Sequence, residues 1–331
     1  MSASVVHPLS TVMLLPCVLC ACTPAVHRVG TAHQKADMLC FVQFHHPGSE
    51  HEPDLPGERS WNTDAHRRKF LRLEGAYVAS PGQEPVRGTV AAWGEWEPPS
   101  LVAKTLDKQA VDDPATLFLP VIDPFRKNDP PLQNTDPFIY GGTFLYGNCK
   151  QNRDEGGATE MQQLDLGSVI LFGSNRGGDR FVLDTVFVVS GSVPYDANNF
   201  ETALAGHVPP QYLDITIRPI SYDASARSPG QTHSYRLYFG ATPDRPVNGM
   251  FSFFPCMPWS DGDTHGFSRP GIRLPGIVLD TLSTWQRMNR QTDPERVREL
   301  WAEVVKQVTD QGLKLCVHAD LPAPRSQART P

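Results

Sequence analysis

Four signatures of common chemistries are missing from this 331-residue chain. It has no G-x-x-x-x-G-K-[ST], no G-x-G-x-x-G behind a strand, no H-E-x-x-H and no G-x-S-x-G. A P-loop phosphotransferase, a dinucleotide-binding dehydrogenase and a nucleophile-elbow hydrolase therefore lose their usual footing. Basic charge is not in excess either: 30 Lys+Arg against 36 Asp+Glu give a formal net charge of −6. General, non-specific binding to nucleic acid would need a basic face, so it is not expected. The only long apolar run before Met38, TVMLLPCVLCACTPAV, is too short to cross a bilayer, and no transmembrane segment is expected.

Clustered cysteines are also scarce. Cys17, Cys20 and Cys22 fall in that run, while Cys40, Cys149, Cys256 and Cys316 stand singly. Isolated cysteines beside apolar residues suit a reducing cytosol better than a disulfide framework. PCVLC copies the second half of a zinc deaminase signature, but no H-x-E precedes it. No metal site is expected, and no motif names a cofactor.

The start of the chain can be taken in two ways. LCAC resembles a bacterial lipoprotein processing box with Cys22 as acceptor, which would make an exported surface lipoprotein. However, MSASVVHPLS lacks the lysine or arginine of a signal n-region. Residues 1–37 are therefore expected to be a non-structural extension, and the compartment the cytoplasm. A single elaborate domain is expected over 38–320, with a disordered tail over 321–331.

What the chain has in plenty is proline (31) and glycine (26), spread among short β-branched and aromatic runs. MLCFVQF, RRKFLRLEGAYV, VRGTVAAWGEWE, SVILFGS, FVLDTVFVV, YLDITIRPI, SYRLYFGA and GMFSFFP all have the composition of strands. In FVLDTVFVV both faces are apolar, which predicts a central strand and obliges Asp184 to find a partner. DPERVRELWAEVVKQVTDQG has the pattern of a helix, with Asp293 as cap, Pro294 at its first position and an apolar stripe from Val297 to Val308. The expected class is α+β: a mixed or mainly antiparallel sheet, bent or barrel-like, with that C-terminal amphipathic helix packed on it.

Chemistry concentrates in three stretches. FHHPGSEHE follows a strand and offers His45 and His46 as general bases, with Glu50, His51 and Glu52 beside them. NTDPFIYGGTFLYGNCKQN contains Asn134 and Asp136. Strand alternation there would put Phe144, Tyr146, Asn148 and Lys150 on one face, suited to a planar polar ligand. AAWGEWEPPS splits Trp93 from Trp96 by the same alternation. Trp96 is then the stacking candidate, and Glu95 or Glu97 an acceptor.

LDLGSVILFGSNRGGDRFVLDTVFVVSG, residues 164–191, resembles the strand pair of PUA-like barrels of the ASCH and EVE type, with Gly167-Ser168 where Gly-Asp is usual. That resemblance implies a small barrel binding RNA or a modified base, and carries over no functional residue. Three functional expectations follow. One is recognition, with or without processing, of a nucleotide or modified base through Trp96, Glu95, Asn134, Tyr146, Asn148 and Lys150. The second is a hydrolase or transferase with His46 as base, Asp136 as orienting acid and Cys149 or an activated water as nucleophile. The third is the lipoprotein anchored at Cys22.

Overall fold

Short apolar runs broken by proline and glycine become short strands, and among the described residues these assemble into two sheets. The computed structural model describes residues 37–46, 48–50, 67–98, 100–122, 135–153, 156–176, 180–221, 233–280 and 286–326. All belong to the unit Ala36–Pro331; the extension expected over 1–37, with Cys22, lies outside them except for Asp37.

In chain order the strands are β1 (Cys40–His45), β2 (Ser49–Glu50), β3 (Arg67–Val78), β4 (Val86–Gly94), β5 (Ser100–Thr105), β6 (Thr116–Pro120) and β7 (Leu145–Tyr146). They continue with β8 (Val169–Arg176), β9 (Arg180–Asp196), β10 (Ser234–Gly240), β11 (Phe254–Pro258), β12 (Gln286–Arg290) and β13 (Lys314–Ala319). The first sheet has the order β12-β1-β8-β9-β10-β7, and the second β13-β11-β4-β3-β6-β5, with β2 beside β3. β1–β8, β2–β3 and β3–β6 are parallel pairs; the other pairings are antiparallel. β13 also pairs with β3, so β3, β4, β11 and β13 form a closed circuit of pairing.

The expected α+β class is overturned. Among the described residues strand makes up 43% and helix 16%, in two mixed sheets rather than one bent sheet beneath a helix. Period-2 patterning shows which face of a strand is buried but not which sheet it joins, so the division into two sheets had no local signal. YLDITIRPI also departs from its expected strand, forming helical turns over Pro210–Tyr212 and Leu213–Ile217. Its Ile215, Thr216 and Ile217 are all buried, and enclosure on several sides lets β-branched residues sit in a helix against their propensity. The helix Pro294–Asp310 begins with the Asp293 side chain accepting from the Glu295 N–H. It buries Val297, Leu300, Trp301, Val304, Val305 and Val308 beside Phe251 and Phe253.

Two apolar layers result. One, between the sheets, joins Cys40, Val42 and Phe44 of β1 to Leu71 and Leu73 of β3, Val90 and Ala92 of β4, and Phe187 and Val189 of β9. The other gathers Phe41, Leu171, Leu183, Val186 and Val188 with the helix stripe. Burial on both sides explains the apolar composition of both faces of β9, which lies between β8 and β10. Residues 321–326, placed in the expected tail, run beside Ile122: its N–H donates to the Ala323 carbonyl and its carbonyl accepts from Arg325 N–H. Residues 327–331 lie outside the described residues. No helix among the described residues is long and apolar enough to cross a membrane.

The closed circuit depends on close backbone approach at Gly75. A Cβ there would stand 2.3 Å from the His318 carbonyl oxygen on β13, whereas Gly88, its partner on β4, faces open space. Gly75→Ala is expected to cost about 1–3 kcal/mol through overpacking. Gly88→Ala should stay within about 0.5 kcal/mol, as surface changes usually do. Denaturant melts of the two variants compare them directly.

Candidate functional site

β1, β3, β4 and β9 bring one end of each of several sequence stretches to a shared corner between the sheets. His46 follows β1, Arg68 opens β3, Glu95 follows β4, and Asp184 sits where the β8–β9 register shifts between Phe172 and Gly173. His46 Nδ1 and Glu95 Oε2 are 2.5 Å apart, with both side chains 5% exposed. Arg68 donates from Nε to Asp184 Oδ2 (2.7 Å) and from Nη2 to the His46 carbonyl (2.8 Å); that Nη2 is also 3.6 Å from Glu95 Oε2. Arg269 donates to Ser174 Oγ (2.6 Å) and the Gly48 carbonyl (3.1 Å), and lies 3.4 Å from Asp184 Oδ1. Its guanidinium stands over the Trp93 ring at 5.6 Å.

Burying so many charges is costly unless each meets an opposite charge. Asp184 meets two guanidiniums, which answers the need its apolar strand created. The effect on Arg68 is visible in its acidity: burial favours the neutral form, but Glu95 and Asp184 outweigh it and raise the pKa. His45 is shifted the other way, held below the usual histidine value by burial, then by His46 and Arg68. Its Nε2 is enclosed and makes no hydrogen bond.

Asp136 lies alongside. Its carboxylate accepts from the N–H groups of Gly147 (2.8 Å), Asn148 (2.7 Å) and Cys149 (2.7 Å). Burial pushes its pKa up to about 6; the three N–H donors pull it down, and the charge of Glu95 adds to the rise. Glu95 thus influences both His46 and Asp136. Phe44 completes the junction, with its ring 6.1 Å from those of His46 and Tyr146.

The three stretches named from sequence therefore meet, although not with uniform geometry. His46, Glu95, Asp136, Tyr146, Asn148 and Cys149 belong to this corner or to the turn it borders. Asn134, His51 and Glu52 lie outside the described residues. Trp96 is fully buried with its ring 5.0 Å from Tyr140, while Trp93 packs in a separate cluster with Phe70 and Trp259. Tyr146 is also fully buried; it stacks on Tyr238 at 5.8 Å and donates its hydroxyl to the Cys149 carbonyl (2.7 Å).

The extended strand expected through Lys150 is corrected. β7 has only Leu145 and Tyr146, and the chain then turns, with Lys150 at φ 58°. The Asp136 carboxylate gathers three successive N–H groups of that turn, which breaks the alternation meant to align Phe144, Tyr146, Asn148 and Lys150.

Arg68 and Arg269 were not singled out from sequence. Arg68 had only a faint signal, as one of four cations in the strand RRKFLRL; SRPG around Arg269 had none. No group of three or more His, Cys, Asp or Glu able to hold a metal occurs among the described residues. With the geometry in place, the chain was compared with protein-family models, curated proteins and solved structures. None matches it.

Two outcomes follow. Asp184→Asn leaves Arg68 and Arg269 buried beside a neutral amide and should cost about 3–5 kcal/mol in denaturant unfolding. Asp136 binds its proton more tightly when folded than when unfolded, so its contribution to stability is full below the unfolded value near 4. That contribution falls as pH rises towards the folded value of about 6. Unfolding free energies of the wild type between pH 4 and 7 should carry this downward slope, and those of Asp136→Asn should lack it.

Proposed function

We propose that the chain carries out acid–base chemistry at this corner, as a hydrolase or transferase in which His46 is the general base. The observation that carries the reading is the 2.5 Å contact between His46 Nδ1 and Glu95 Oε2, with both side chains 5% exposed. A carboxylate on Nδ1 holds the proton there, orients the ring and makes Nε2 the basic nitrogen. Glu95 thereby takes the orienting role first given to Asp136, whose oxygens serve the 147–149 turn. The nucleophile that fits is a water activated by His46. Cys149 is held at its backbone by Asp136 and Tyr146, which gives it a place in the 147–149 turn.

Recognition of a nucleotide or modified base by stacking on Trp96 and Tyr146 has weaker support, because each ring already packs against another, Trp96 on Tyr140 and Tyr146 on Tyr238. A cytoplasmic setting suits the reading, since Cys40, Cys149, Cys256 and Cys316, the cysteines among the described residues, form no disulfide.

The wild type should hydrolyse one class within a panel of chromogenic esters, amides and phosphodiesters. His46→Gln and Glu95→Gln should each lower that rate by about 10²–10⁴-fold, the usual contribution of general acid–base catalysis. Turnover undiminished in both variants, or absent from every member of the panel for the wild type, removes the reading.

A further inference from the structure

Arg68 is 1% exposed, and two of its three nitrogens are fully employed: Nε by Asp184, Nη2 by the His46 carbonyl. Nη1 is enclosed and makes no hydrogen bond. Buried donors are nearly always satisfied, and one left unmet in a folded protein calls for an explanation such as an ordered water, an ion or a bound ligand. His45, the residue before the base, shows the same feature at Nε2. Two unmet nitrogens thus flank the residue to which the chemistry is assigned.

The charge balance at the corner restricts what could meet them. Arg68 and Arg269 supply two positive charges; Asp184 and Glu95 supply two negative ones. Lys69 and Glu97, close by, add one of each sign. Asp136 alongside, mostly ionised above its pKa of about 6, makes the sum negative, so a phosphate dianion would bring further uncompensated charge into a buried site. A neutral carbonyl oxygen would satisfy the N–H of Nη1 and leave the balance intact. An adjacent amide N–H would need an acceptor, and the Glu95 carboxylate, 3.6 Å from Nη2 of the same guanidinium, is one the corner supplies.

We infer that Arg68 Nη1 binds the uncharged carbonyl oxygen of an amide or lactam substrate beside the His46–Glu95 pair. The inference rests on the acid–base reading and names the substrate class for it. In the reaction, water held by His46 would attack the carbonyl carbon; its proton passes to His46, and the developing oxyanion is stabilised by Arg68. Collapse breaks the C–N bond, and the His46 proton goes to the leaving nitrogen. Water is consumed, and an acid and an amine are formed.

The test follows the guanidinium nitrogens of the full chain by ¹⁵N NMR, with the Arg68 signals assigned by their loss in Arg68→Lys. That variant keeps a cation facing Asp184. Four probes are titrated: uridine for a nucleobase lactam, N-acetylglycinamide for a peptide amide, acetate and inorganic phosphate. A saturable shift of the Arg68 Nη1 signals with either amide probe supports the inference and identifies which source it comes from. Its affinity should fall at least tenfold in Arg68→Lys and be kept in His46→Gln. A preference for phosphate or acetate, or no shift with any probe, overturns it. Lost turnover in His46→Gln alongside silent Arg68 signals would sink this inference alone, leaving the acid–base reading in place.

Discussion

The Arg68–Asp184–Arg269 arrangement is the constraint on which this corner depends. Asp184 belongs to the first sheet, Arg68 to the second, and Arg269 to the segment between β11 and β12. One carboxylate therefore ties three parts of the chain that are remote in sequence. Buried ion pairs add little net stability compared with well-packed apolar groups, but removing one partner leaves charges that nothing solvates. Their value here is positional. With Arg68 fixed at Nε by Asp184, its Nη2 reaches the His46 carbonyl and stands close to Glu95, so the imidazole and its carboxylate inherit the alignment of the sheets.

Two carboxylates a short way apart do different work because their surroundings differ. Glu95 faces a histidine and a guanidinium, and its negative charge is met by groups that carry or can carry positive charge. Asp136 faces three backbone N–H groups, which are dipoles without net charge, and is fully enclosed. Hydrogen bonds alone do not offset that desolvation, and the charge of Glu95 increases the difference. The outcome is one carboxylate suited to orienting a base and another that shapes a turn and holds its proton more readily.

Much of the local structure was legible in the sequence. MLCFVQF, VRGTVAAWG and FVLDTVFVV show their strands because period-2 patterning is a local property, and Asp184 announced a need for a partner by standing in an apolar run. Trp93 and Trp96 do part, into separate clusters, but β4 ends at Gly94, so the turn after the strand and not alternation along it sets Trp96 beside Tyr140. What could not be read was anything that depends on which strands become neighbours. Two sheets instead of one, the closing of β13 onto β3, and the meeting of Arg68 and Arg269 with Asp184 depend on contacts spanning 85–240 residues of chain. The helical state of YLDITIRPI was hidden for a related reason: its β-branched residues satisfy a strand pattern, and only the surrounding packing turns it into a helix.

The closed circuit of β3, β4, β11 and β13 has a further consequence for how copies of the chain behave towards one another. Unpaired strand edges are templates for intermolecular pairing and aggregation, and a circuit of this kind has none. Along the described sheet orders the remaining edges are β12, β7, β5 and the two-residue β2. β7 is two residues long, β12 reads QRMNR with two arginines, and β5 carries Lys104. A chain this rich in strand thus shows its neighbours, along the described edges, strands that are short or charged and so poor templates for pairing between copies.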